Sequence, residues 1–145
     1  MKQANLFSIY FSSESDEWGT PVDFFRELDY EFKFTLDPCC TKANAKCVKY
    51  YTKEENGLTQ DWSKESVFMN PPYGNEIKKW VKKAYEESLK GAVVVCLIPA
   101  RTDTSYWHDY IFKYAHDVRF VRGRLKFVGK KTGYCPFPSA VVIFK

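Results

Sequence analysis

The chain has 145 residues, of which 45% are apolar and 18% aromatic, so residues 1–145 are expected to fill the core of a single domain. No run of eighteen apolar residues occurs, and the opening MKQANLFSIYFSSESDEW lacks the basic-then-apolar layout of a secretion signal. A cytoplasmic protein with no membrane role is expected. The net charge of +4 is uneven: residues 101–145 hold nine Lys or Arg against three Asp, a balance of +6 that leaves −2 for residues 1–100. Such a basic stretch suits a polyanion, and equally suits a solvated sheet edge that discourages edge-to-edge pairing.

Five cysteines, Cys39, Cys40, Cys47, Cys96 and Cys135, form an odd set without C-x-x-C spacing or a nearby histidine pair. This argues against a disulfide framework and against a structural zinc site, so free thiols and no metal are expected.

In chain order, Thr20 and Pro21 followed by Asp23, Phe24, Phe25 and Leu28 read as a helix start near residue 20, with Thr as N-cap and Pro at the first helical position. Phe32, Phe34 and Leu36 alternate with polar residues and stop at Asp37-Pro38, which predicts a strand ending in a carboxylate. A short helix is expected around Asn44, then a second strand over Val48 to Thr52, a turn at Asn56-Gly57, and a third strand over Ser66 to Met69. From Ile77 the spacing of Trp80, Val81, Ala84 and Tyr85 predicts an amphipathic helix capped by Asn75, with Lys78, Lys79, Lys82 and Lys83 facing out. Ala92 to Ile98 is a continuous apolar run, expected as a central parallel strand that stops at Pro99. Trp107, Tyr110, Ile111, Tyr114 and Ala115 repeat the helical spacing. Val118 to Val128 and Ser139 to Phe144 then read as two strands with no helix between them, expected to pair as an antiparallel hairpin.

The order predicts an open α/β sheet, mostly parallel, whose last pair breaks the parallel pattern. Ligands of such sheets bind beyond the carboxyl ends of the strands, where Asp37, Asn70 and the loop from Pro99 to Thr104 gather by topology.

Asn70-Pro71-Pro72-Tyr73, emerging from an apolar strand, resembles the catalytic motif of amino-group methyltransferases. With WGTPVDFF, FTLDPCCTKANAKC, YYTKEENGLTQDW, VFMNPPYG, CLIPARTDTSYWHDYI and VRFVRGRLKF in that order, the chain from Trp18 onward is similar to the phage-type DNA N6-adenine methyltransferases. The resemblance implies a Rossmann-like methyltransferase fold, S-adenosyl-L-methionine as cofactor, and double-stranded DNA as substrate. It also implies one minimal domain without a separate target-recognition domain.

An adenine N6 amino group is a poor nucleophile because its lone pair is delocalised into the ring. The Asn70 side-chain oxygen and the Pro71 carbonyl can accept its two N–H groups, and the two prolines, Pro71 and Pro72, hold that geometry. Tyr73 is expected to stack on a base flipped out of the duplex.

By resemblance, Thr20, Pro21, Asp37 and Pro38 embrace the methionine part of the cofactor, and Asn44 lends backbone N–H groups. Asp37 suits the α-ammonium, or simply caps a helix. Asp61 and Trp62 correspond to the family's pair beside the cofactor's adenine. Glu54 and Glu55 are the nearest candidates for the ribose hydroxyls, and both also read as solvated. The glycine-rich turn common in methyltransferases is replaced by Asp-Pro-Cys-Cys-Thr-Lys.

DNA contacts are expected from Arg101, Thr102, Arg122, Arg124, Lys130 and Lys131, with Arg119 and Lys126 nearby. Spacing alone does not decide which of them read bases. A homodimer fits the small footprint. The open alternatives are the same chemistry on RNA or a protein glutamine, and a nucleic-acid-binding module without catalysis.

Overall fold

The computed structural model describes residues 18–129 and 133–145. Its first helix, α1 (Val22–Phe32), begins one residue later than the Thr-Pro pair suggested. Pro21, at φ −59° and ψ 138°, is the residue that precedes the first turn, with Asp23 inside it. Thr20 does not cap the helix, because its hydroxyl is engaged elsewhere. The helix runs through Phe32 and stops at Lys33, whose φ of 54° is left-handed. The Lys33 and Phe34 N–H groups both turn back to Asp29, one to its carbonyl and one to its carboxylate. The expected strand from Phe32 therefore shrinks to β1 (Leu36–Asp37).

A second short strand, β2 (Lys49–Tyr50), and a 3-10 turn (Gly57–Thr59) precede β3 (Ser66–Met69). Helix α2 (Ile77–Ser88) buries Ile77, Trp80, Val81 and Ala84, as the 3.6-residue spacing requires. Asn75 does not cap it, since the preceding position is Glu76 and no side chain closes the first turn. Lys83 does not face out either. It lies over the Trp62 ring, donates to Gln60 O at 2.6 Å and pairs at 3.4 Å with Glu87. The Glu87 carboxylate, 1% exposed, also accepts from Trp62 N–H and pairs with Lys90 at 2.7 Å. This bracket fixes the loop ahead of β3 onto α2.

Strand β4 (Val93–Pro99) is followed by a π-helical turn (Trp107–Ile111) that runs into an α-helical turn (Phe112–Tyr114). The chain continues through β5 (Asp117–Phe120), β6 (Lys126–Phe127), β7 (Gly133–Tyr134) and β8 (Ser139–Phe144). The main sheet has the order β2-β1-β3-β4-β8-β5, parallel from β2 to β4. Strand β8 lies between β4 and β5 and is antiparallel to both, so it alone runs against the rest. The expected terminal pairing is present, but as an insertion, not a peripheral hairpin: β8 zips along β4 from Val94 to Pro99. Val118 to Val128 is not one strand. It breaks after Phe120, and Lys126–Phe127 pairs with Gly133–Tyr134 as a separate ribbon.

Cross-strand partners share a face, and successive residues alternate. Phe25 of α1 packs edge-on against Phe68, whereas Tyr85 of α2 packs against Phe144, which aligns through Val94 with Val67. The two helices therefore cover opposite faces, and the π-helical segment joins α2 through Tyr85, Tyr110 and Tyr114. Among the described residues no helix is long and apolar enough to cross a membrane, and all five cysteines are free.

Candidate active site

From β1 the chain moves to β2 on one side and returns to β3 on the other, so the order of strands reverses between β1 and β3. A ligand crevice is expected beyond the carboxyl ends at such a switch point. A cavity of about 700 Å³ opens there, within the range of small-molecule sites. It brings together Thr20, Asp37, Pro38, Asn44, Asn70, Pro71 and Pro72, seven of the residues singled out from the sequence.

Asn70 follows the last residue of β3. Its Nδ2 donates to the Trp18 carbonyl at 2.6 Å and to Thr20 Oγ1 at 2.9 Å, which uses both amide hydrogens. A carbonyl can only accept, so the end of the amide facing Trp18 must be the nitrogen. The other end, Oδ1, is buried and has no partner among the described residues. An unpaired buried acceptor is costly, by about 1–3 kcal/mol, unless a ligand donor completes it. The Thr20 segment is held in place by a bridge to the β6–β7 ribbon: Gly19 and Val128 exchange two backbone hydrogen bonds of 2.9 Å.

Asp37, 3% exposed at the end of β1, accepts from Lys46 N–H at 2.9 Å and from Cys39 N–H at 3.4 Å. It thus staples the loop that replaces a glycine-rich turn. It caps no helix, because Thr41 to Asn44 forms a turn closed by Thr41 N–H to Asn44 Oδ1 at 2.7 Å and Asn44 N–H to Thr41 O at 3.2 Å. The short helix expected there is absent. Burial raises the Asp37 pKa above its ordinary value, although the Lys46 and Cys39 amides pull it back in part. Desolvation, with Asp37 adding to it, drives the neighbouring thiols higher still: well up for Cys39 and to about 12 for Cys40 and Cys47. All three stay protonated at neutral pH, and Cys39 and Cys40 line the cavity as small apolar groups, not nucleophiles.

Four of the residues expected to bind the cofactor or take part in catalysis stand outside the cavity lining. Pro21 fixes the start of α1, and its carbonyl accepts from Phe25 N–H at 3.0 Å. Asp61 is exposed, and its carboxylate turns back on the Ser63 N–H at 2.9 Å and hydroxyl at 2.6 Å. Trp62 is wholly buried, its Nε1 donating to Gly57 O at 2.9 Å and its ring stacked on Trp80. Tyr73 is 5% exposed: its hydroxyl donates to Leu97 O at 2.9 Å, and its ring meets the edges of Phe127 and Phe137. Burial pushes its phenol pKa well up. No ring face is open to a base in this conformation.

The cavity also has walls that no motif pointed to, Trp80, Lys42 and Lys46, and Glu54 lines it beside them. Glu54, one of the two acids considered for a ribose, accepts from the Thr52 hydroxyl at 2.7 Å, while Glu55 accepts from the Thr52 amide at 3.0 Å. Trp80 hides in the helical stripe of α2, where spacing marks it only as core.

Arg101 and Thr102 are exposed just beyond β4, with the Arg101 guanidinium 5.3 Å from the Phe137 ring centre, beside the Tyr73 cluster. Arg122 and Arg124 are exposed between β5 and β6. Among the described residues these three arginines form no salt bridge, whereas Arg119 is held bidentately by Glu31 at 2.6 and 2.7 Å and by Asp117 at 3.0 Å. Lys130 and Lys131 lie outside the described residues.

A doubly wound sheet with a reversed strand β8, a crevice at the β1/β3 switch point and Asn-Pro-Pro-Tyr at the end of β3 defines the α/β methyltransferase class. Residues 8–139 match the family described as DNA N-6-adenine-methyltransferase (Dam). Over 124 residues the chain is 32% identical to the DNA N-6-adenine-methyltransferase of Haemophilus phage HP1 (strain HP1c1), covering 83% of this chain and 71% of that protein. It is 32% identical over 96 residues to the protein of the same description from Escherichia phage T1, covering 65% of this chain but only 40% of that longer protein. Over 65 residues it is 43% identical to the putative methyltransferase YfdM of Escherichia coli (strain K12), covering 40% of this chain and 71% of that protein. The chain belongs to the DNA N-6-adenine-methyltransferase (Dam) family.

Proposed function

We propose that this protein transfers a methyl group from S-adenosyl-L-methionine to N6 of adenine in double-stranded DNA, at a specific sequence, with residues 1–145 acting as one minimal domain. The observation that carries the proposal is the buried Oδ1 of Asn70, without a partner among the described residues and fixed at the rim of a cavity by two bonds to the other end of its own amide.

The residues present suit the cofactor. The cavity has the volume of a small-molecule site, and the buried Asp37 carboxylate suits an ammonium group. Lys42 and Lys46 suit a carboxylate, Trp80 offers a flat ring, and Glu54 follows β2, where hydroxyl groups of a ribose are commonly met. When bound, S-adenosyl-L-methionine supplies the electrophilic methyl of its sulfonium.

Asn70 Oδ1 accepts one N–H of the target amino group, and the carbonyl of Pro71 takes the other. Together they favour the pyramidal nitrogen whose lone pair is free to attack. The prolines keep this pair of acceptors from relaxing, so positioning replaces a general base. Adenine N6 lies within the base stack and must leave it. Tyr73 receives the flipped base once the Phe127 and Phe137 rings against it give way, and stacking of about 1–3 kcal/mol then offsets part of the cost of extrusion. Arg101, Thr102, Arg122 and Arg124, with Lys130 and Lys131, grip the duplex, and a homodimer would widen that grip.

The proposal is tested by incubating the protein with unmethylated genomic DNA and methyl-labelled S-adenosyl-L-methionine, then analysing nucleosides by mass spectrometry. Labelled N6-methyladenine is the expected product. Its absence with cofactor binding intact would shift the substrate to RNA or protein, and absence of cofactor binding would leave a DNA-binding module. Asn70→Ala should abolish transfer while most DNA affinity survives; near-normal turnover in that variant would sink the mechanism.

A further inference from the structure

The two ends of an asparagine amide have nearly the same shape, so a half-turn of the group would exchange the acceptor that favours the substrate amino group for a donor that repels it. Something must choose the orientation. In this protein the choice is made by one short segment remote from Asn70 in sequence. The Trp18 carbonyl and the Thr20 hydroxyl take both hydrogens of Nδ2, and turning the amide over would set Oδ1 against a carbonyl oxygen at 2.6 Å. Thr20 is 2% exposed. The segment has little freedom of its own: Gly19 is bonded through both its N–H and its C=O to Val128, and Trp18 packs its ring against Phe127 and Phe137 at 5.6 and 5.3 Å.

We propose that Thr20 is a positioning residue of methyl transfer: with the Trp18 carbonyl it clamps the Asn70 amide so that Oδ1, and never Nδ2, faces the reacting amino group. The inference rests on the function proposed above for Asn70. It gives Thr20 a task distinct from the cofactor contact implied by family resemblance, and the two tasks separate kinetically. A cofactor contact acts on affinity, whereas an orientation clamp acts on the rate at saturation.

The experiment compares Thr20→Val, which keeps the shape and loses the hydroxyl, with Thr20→Ser, which keeps the hydroxyl. Cofactor and DNA affinities are measured by calorimetry and fluorescence anisotropy, and single-turnover methylation is measured with both at saturation. In parallel, nitrogen-15 NMR follows solvent exchange of the Asn70 side-chain amide, recognised by the signals that vanish in Asn70→Ala. In Thr20→Val the saturated rate should fall about tenfold or more while both affinities stay within about threefold, because a small misplacement of a catalytic group is felt mainly in the rate. One Asn70 amide proton should then exchange faster than in the wild type, and Thr20→Ser should recover most of the lost rate.

A saturated rate in Thr20→Val close to wild type would overturn the clamp, as would a loss confined to cofactor affinity. If the wild type methylated no DNA, the proposed function would fail by itself. Slow amide exchange at Asn70 would still support the clamp, and fast exchange there would refute it. The same exchange measurement, with the rate of Thr20→Ser, decides the matter should Thr20→Val not fold.

Discussion

Asp37 holds its loop at an electrostatic cost. Its carboxylate is 3% exposed and its pKa is raised by burial, with the Lys46 and Cys39 amides offsetting part of the rise. A raised value means that the folded protein keeps this proton to higher pH than the unfolded chain does. The associated stability is therefore present below the unfolded pKa and is lost as pH rises through the folded one. The urea midpoint of the wild type should accordingly fall relative to that of Asp37→Asn as pH climbs from about 4 toward neutrality. Saturating S-adenosyl-L-methionine should reduce that fall, because an ammonium beside the carboxylate favours its charged form. A pH-independent difference between the two proteins would show that burial does not govern this group. Much of the site was legible residue by residue: Thr20, Asp37, Pro38, Asn44, Asn70, Pro71 and Pro72 meet at one cavity because strand ends converge there. Asp61 and Trp62 do not, because a motif beside a strand carries no information on depth. The acid turned back to Ser63 and the indole sank to Gly57 O, leaving Trp80, one layer nearer, as the ring that lines the space.

At the scale of elements, the loop after β1 and the 3-10 turn after β2 touch at Gly57. A Cβ there would lie 2.0 Å from the Pro38 carbonyl oxygen and 3.2 Å from the Trp80 ring. Gly57→Ala must push the Pro38 loop away from the turn, and both line the cavity. Urea unfolding should show a loss of about 1–3 kcal/mol, and calorimetry a weaker cofactor affinity. Unchanged affinity alongside lost stability would separate this wall from the binding surface. The position of β8 follows the same reasoning. All six of its residues are buried and none is charged, the composition of a strand with neighbours on both sides, whereas β5 carries exposed Arg119 and Phe120 as an edge does. Chain order suggested that the two pair, and they do. The uninterrupted apolar run of Ala140 to Phe144 held the further information that β8 also belongs against β4. The alternation of Phe32, Phe34 and Leu36 misled because a helix end and a left-handed Lys33 can place phenylalanines on one core as well as a strand can.

For the molecule as a whole, the basic excess of residues 101–145 divides into charges that are committed and charges that are available. Arg119 is committed to Glu31 and Asp117 on the protein's own surface, which raises its already high pKa further. Arg101, Arg122 and Arg124 are exposed and form no ion pair among the described residues. Anisotropy titrations over a range of salt should find that Arg124→Gln weakens DNA binding and lowers the slope of log K against log salt by about 1. Arg119→Gln should leave the slope unchanged. An equal loss in both variants would contradict this division of charge. The single bridge between Gly19 and Val128 reaches further. It joins segments more than a hundred residues apart, and with the packing of Trp18 on Phe127 and Phe137 it holds the two groups that orient the acceptor on Asn70. That orientation also requires the β6–β7 ribbon to be seated on the sheet. Closing a loop of that length carries an entropic cost set against those contacts. Until residue 128 has joined residue 19, the bridge that steadies the asparagine's two partners is missing.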